Sequence, residues 1–169
     1  MEYIVILVIG VLIYIAFVYN KFVYFKNLAK QAEADIDVFL KKRADLLGKL
    51  IDVVKAYSDF EKNTLEKIVK ARALALNSRA KDLDKEKEIR ESIKTLFALS
   101  ENYPILKANE NYLELQKEIT EIEEDLQKAR RFYNGVVQAY NTYIEKFPNV
   151  VLARVLRLKP LEYFDFEEA

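Results

Sequence analysis

ENYLELQKEITEIEEDLQKARRFYNGVVQAYNTYIEKFP, residues 110–148, is the stretch whose reading decides the fold. Tyr112, Leu115, Ile119, Ile122, Leu126, Ala129, Tyr133, Val136, Tyr140, Tyr143 and Phe147 recur at alternating steps of three and four. An α-helix turns once in about 3.6 residues, so these side chains share one stripe, and the pattern predicts coiled-coil-like packing against other helices. Working back toward the amino terminus, Phe25, Ala29, Ala32, Ile36, Phe39, Arg43, Leu46, Leu50, Val53 and Tyr57 repeat the spacing, with Arg43 alone breaking an apolar seam. A third seam reads Val69, Ala73, Leu76, Ala80 and Leu83, then resumes six residues later at Ile89, Ile93 and Leu96. That slip across Asp84–Glu88 predicts a loop or broken helix near residues 77–88, with a continuous distorted helix as the alternative.

The boundaries carry their own signals. Ser58-Asp59-Phe60-Glu61 has the spacing of a capping box, which satisfies free amides at a helix start. Pro104 and Pro148 end the helices before them, because a residue preceding proline avoids helical dihedrals. No sustained alternation suggests strands, and the chain beyond Asn20 is rich in Ala, Leu, Glu and Lys.

Tyr3–Tyr19, YIVILVIGVLIYIAFVY, is an unbroken apolar run. At about 1.5 Å per residue it spans roughly 25 Å, short but sufficient for a bilayer when its flanks contribute. The Met1-Glu2 start lacks the bases of a signal peptide, and Ala16-Phe17-Val18 is a poor cleavage site, so an uncleaved anchor is expected. Lys21, Lys26 and Lys30 follow the run while Glu2 precedes it, which predicts a single pass with the bulk of the chain in the cytoplasm, at the cell (inner) membrane. The expected architecture is all-α: an anchor and juxtamembrane helix over residues 1–26, an elongated antiparallel four-helix bundle over 27–160, and an aromatic acidic tail over 161–169.

Composition removes many chemistries. The 169 residues include no cysteine and no histidine. Disulfides, thiolate nucleophiles, Ser-His-Asp and Cys-His pairs, and His- or Cys-ligated metals are thereby excluded. Gly10, Gly48 and Gly135 stand too far apart for a phosphate-cradling loop. The 27 basic and 27 acidic residues balance, leaving no excess of positive charge for nucleic acid.

The residues also resemble the LemA family over nearly the whole chain. The resemblance rests on the apolar amino terminus with Tyr19-Asn20, on Ile36-Asp37-Val38 and Leu40-Lys41-Lys42-Arg43-Ala44-Asp45-Leu46, on Tyr57 with Glu61-Lys62 and Leu65, and on Ala71-Arg72-Ala73. It continues through Tyr103-Pro104, Leu106–Glu110, Leu115-Gln116, Ala129-Arg130, Tyr133-Asn134, Tyr140-Asn141, Phe147-Pro148, and Lys159-Pro160 before Tyr163-Phe164. Gly48 stands where the family commonly has proline, Glu33 where it often has tryptophan and Phe60 where it often has histidine. The resemblance implies a membrane-anchored helical bundle of bacterial type, with no active site to carry over and only a hint of membrane stress or proteolysis.

No catalytic, cofactor-binding or metal-binding residue is assigned. Lys41, Lys42 and Asp45 read as a solvated helix face more readily than as a headgroup site. Glu118, Glu121, Glu123, Glu124 and Asp125 read as surface charge, since helical spacing scatters them and no glycine-bearing loop wraps an ion. Arg43 is singled out because burial of a guanidinium without a partner is costly; a carboxylate, carbonyl or tyrosine hydroxyl is expected beside it. Tyr133-Asn134 and Tyr140-Asn141, seven residues apart, stack on one face, either as core or as an aromatic groove for a partner helix. Val150–Lys159 is expected to cap the bundle end rather than lie on lipid, with Tyr163 and Phe164 docked and the terminal acids exposed.

Two functions follow from these expectations. One is a non-enzymatic, membrane-tethered interaction or scaffold protein whose partners are the bilayer, through the first helix, and an unidentified membrane or cytoplasmic protein, with self-association open. The other is a ligand- or lipid-sensing bundle.

Overall fold

The protein is all-α. The computed structural model describes residues 1–57, 69–70, 73 and 83–164. Among them are helices α1 (Glu2–Tyr57), α2 (Leu83–Ser100), α3 (Pro104–Lys107), α4 (Glu110–Glu145) and α5 (Asn149–Val155), and no strand. Ser58–Glu61 and the seam positions Leu76 and Ala80 lie outside the described residues.

Helix ends follow local chemistry. Pro104 opens α3, where its missing N–H costs nothing. The Asn109 Oδ1 accepts the Tyr112 amide at 3.0 Å, capping the start of α4 and fulfilling one otherwise orphaned donor.

The chain divides into two compact units, Met1–Glu33 with Arg130–Ala169, and Ala34–Ala129. In the second unit Ile36, Leu40, Leu47, Leu50, Ile51 and Val54 of α1 are buried, as are Ile89, Ile93 and Leu96 of α2 and Ile119, Ile122 and Leu126 of α4. The strict seam expected along α1 is only partly met. Phe39 and Val53 are half-buried, whereas their neighbours Leu40 and Val54 are buried. An α-helix drifts about 20° per heptad from a 3.5-residue repeat, and packing on more than one side broadens the apolar stripe.

The expected break at residues 77–88 is corrected over its second half: residues 83–88 belong to α2, and 77–82 lie outside the described residues. Within α2, buried Glu86, Ile89, Ile93, Leu96 and Ser100 run at steps of three and four, so Glu86 belongs to the covered stripe of this helix. Val69 and Ala73, in contrast, are exposed.

In the first unit α1 and α4 run antiparallel, since Phe22 meets Tyr143 while the earlier Tyr14 meets Asn149 beyond the end of α4. Their shared core is Val18, Phe22, Tyr140, Ile144 and Ala153. Phe147, the last residue of the expected α4 seam, is exposed because the helix ends at Glu145. Before Val18 the apolar side chains of α1 face outward, and this end of the helix is long and apolar enough to cross a membrane.

Candidate functional site

Two arrangements of polar side chains stand out, one in each unit. In the second unit Arg43, only 1% exposed, sits among α1, α2 and α4. Its Nη2 donates to Glu86 Oε1, and its Nη1 donates to Glu123 Oε1 at 2.9 Å. Glu86 is 3% and Glu123 24% exposed. Burial pulls the guanidinium toward a lower pKa, but the charges of Glu123 and Glu86 and their hydrogen bonds outweigh it, so the net shift is upward. Arg43 therefore stays a cation at every accessible pH and acts as a fixed tie between three helices.

Arg43 lies in the helix interface with carboxylates beside it. Its partners come from outside the apolar seams: Glu86 from the charged run Asp84–Glu88, where the spacing predicts a break, and Glu123 from the acidic set whose spacing predicts surface charge. Glu86 had a signal in the sequence, its position three residues before Ile89. Glu123, next to seam residue Ile122, had none. Lys41, Lys42 and Asp45 are exposed.

The first unit builds a receptor for an extended segment of chain. Asn141 donates from Nδ2 to the Leu161 carbonyl at 2.9 Å and accepts the Leu161 amide at Oδ1 at 2.8 Å. One heptad earlier, Asn134 makes the same pair of bonds with Phe164, at 3.0 and 2.8 Å. Each carboxamide thus reads both backbone groups of one residue, as a neighbouring strand would. The spacings match for a physical reason: seven helical residues rise about 10.5 Å and three extended residues cover about 10 Å. The segment runs antiparallel to α4. Between the two asparagines' contacts the Tyr133 hydroxyl donates to the Glu162 carbonyl at 3.2 Å, and its ring meets Phe164 edge-on at 4.7 Å.

Tyr133 and Tyr140 are buried core, and the groove beside them is filled by the chain's own tail, not by a helix. Burial pushes the Tyr140 phenol upward, and that of Tyr143 likewise, with Tyr14 adding to the latter. Of the two tail aromatics expected to dock, Phe164 does, at 5% exposure, while Tyr163 stays 51% exposed. An extended segment points successive side chains to opposite sides, so only one of the adjacent pair can face α4. The terminal acids lie outside the described residues.

Comparison with known proteins shows the family. The LemA family model matches residues 32–169. The chain belongs to the LemA family. It is 31% identical to protein LemA of Metamycoplasma hominis over 155 residues, which cover 88% of this chain and 69% of that protein. It is also 22% identical over 192 residues to magnetosome protein MamQ of Magnetospirillum gryphiswaldense, covering 94% of this LemA-family chain and 71% of that protein. Magnetosome protein MamQ 1 of Paramagnetospirillum magneticum matches at 22% over 197 residues, 96% of this chain and 72% of its own.

Proposed function

We propose that this LemA-family protein is a non-enzymatic, membrane-anchored docking module, held by α1 with its bundle on the cytoplasmic face. The receptor for an extended segment on α4 is the observation that carries the reading. Asn134 and Asn141 bond only to backbone groups, so they accept any residue other than proline at the two bonded positions, and the Phe164 site adds a demand for an aromatic side chain. An extended peptide with an aromatic residue on a partner protein meets both demands, and the tail at 161–169 then regulates access by occupying the groove in cis. In this organisation residues 1–26 supply address, 27–160 the docking surface and 161–169 the competitor. The bases Lys21, Lys26 and Lys30 following the apolar run support the cytoplasmic orientation.

The test places a photo-crosslinking amino acid at exposed Gln138, which shares the helix face of Asn134 and Asn141, in the full-length protein in intact cells. Adducts with a second protein, lost in N134A/N141A, support the module. Adducts confined to the chain itself, with or without those substitutions, refute it. Protease added to intact cells, or to spheroplasts where an outer membrane is present, should spare the bundle; its digestion would reverse the orientation.

A further inference from the structure

The turn after α4 and the helix α5 expose an apolar face. Phe147 is 83% and Val155 73% exposed, and Val151 and Leu156 accompany them. Val151 and Val155 are one helical turn apart and so share a face. The other face is packed: Ala153 joins Val18 and Phe22 in the core, and Asn149 is buried.

Height along α1 decides what covers the outer face. The Tyr14 hydroxyl donates to Asn149 Oδ1 at 2.7 Å, and Val18 lies in the same cluster as Ala153. Both α1 residues belong to the apolar run Tyr3–Tyr19. Tyr14 precedes the end of that run by roughly 7.5 Å of helix rise, and the run itself, at about 25 Å, is no longer than a hydrocarbon core of about 30 Å. A bilayer that covers Tyr14 therefore also covers side chains level with it.

From this geometry we infer that residues 146–156 form a second, non-spanning membrane element, seated in the leaflet on the bundle side with Phe147, Val151 and Val155 in lipid. The inference rests on the reading of α1 as a membrane anchor.

An unbonded N–H in hydrocarbon is costly, and several amides at the ends of this element are bonded. Pro148 has no N–H to satisfy. The Val150 amide donates to the Lys146 carbonyl at 2.9 Å and that of Val151 to Pro148 at 3.2 Å. At the other end Arg157 adopts a left-handed turn, with φ 52°. The Leu158 amide then reaches the Ala153 carbonyl at 2.9 Å and the Arg157 amide reaches Arg154 at 3.1 Å, closing the helix. Lys146, Arg154, Arg157 and Lys159 are exposed around the apolar face. Their long stems reach outward to headgroups, which gives the element a preference for anionic lipid.

The chain has no cysteine and no tryptophan, so single probes can be introduced cleanly. The full-length protein carrying a nitroxide on V151C or V155C is reconstituted in phosphatidylcholine vesicles containing phosphatidylglycerol, with I9C as the lipid reference and K117C as the water reference. Collision with oxygen, enriched in lipid, is compared with collision with a water-soluble nickel chelate. The expected result is an oxygen-to-chelate ratio at V151C and V155C several-fold above K117C and approaching I9C. Ratios equal to K117C, with I9C still in lipid, overturn the inference alone; I9C in water overturns the anchor reading along with it. Shielding of V151C and V155C from both quenchers marks cover by protein, a second copy included, and also overturns it. As an independent readout, V155W fluorescence should be quenched by brominated lipid; the absence of quenching counts against lipid contact.

Discussion

Replacing Arg43 tests whether the buried ion cluster holds the second unit together. Arg43→Met keeps most of the aliphatic stem and removes the cation, which separates charge from packing. Glu86 is then left in a site 3% exposed without its guanidinium, whereas Glu123, at 24%, can be rehydrated. Breaking a buried pair by removing one partner costs about 3–5 kcal/mol. R43M should therefore lose about 3–5 kcal/mol in urea unfolding of the full-length protein in mild non-ionic detergent, followed by far-ultraviolet circular dichroism. The triple replacement R43M/E86M/E123M removes all three charges together and should recover most of the loss, since a packed apolar set replaces buried ion pairs at little net cost. Raising the salt concentration should leave the R43M deficit nearly unchanged, because buried pairs are poorly screened. A deficit below about 1 kcal/mol for R43M, or a triple variant as unstable as R43M, would refute the reasoning.

Other perturbations address the first unit and the tyrosines. Each of Asn134 and Asn141 makes two hydrogen bonds to the tail, so N134A or N141A should cost about 1–3 kcal/mol and speed proteolysis of residues 161–164; unchanged protection would show that the carboxamides do not hold it. Deleting residues 161–169 removes these bonds and buried Phe164, and should lower the melting temperature by on the order of 5–10 °C, with an unaltered melt counting against docking in cis. Burial raises the Tyr112 phenol, opposed by Ser100 and reinforced by Glu101, and Tyr140 and Tyr143 are raised by burial as well. Folded chains then hold these protons where unfolded chains have released them, so the stability contribution is full below about pH 10 and is lost as pH rises above it. Y112F/Y140F/Y143F should flatten the fall in urea midpoint between about pH 8 and about pH 11, and an equally steep fall would sink the assignment.

Several features were legible in the chain alone because they are local properties of a helix. The three-and-four spacing of apolar residues from Tyr112 to Tyr143 specifies a buried stripe whatever packs on it, Pro104 and Pro148 stop helices by their own geometry, and Tyr3–Tyr19 is apolar enough for lipid. Arg43 announced itself as a charge in an apolar series. Its partners did not, for Glu86 and Glu123 lie 43 and 80 residues away, and only the order and level of α1, α2 and α4 bring them to one layer. The asparagines were visible beside Tyr133 and Tyr140, but a carboxamide leaves no periodic hydrophobic signature that tells what it bonds. That Asn134 and Asn141 clasp an extended tail was settled by the reversal through α5, which returns the chain antiparallel to α4 with residues 161 and 164 level with a heptad step. Periodicity specifies which face of a helix is covered; the path of the chain between helices decides by what.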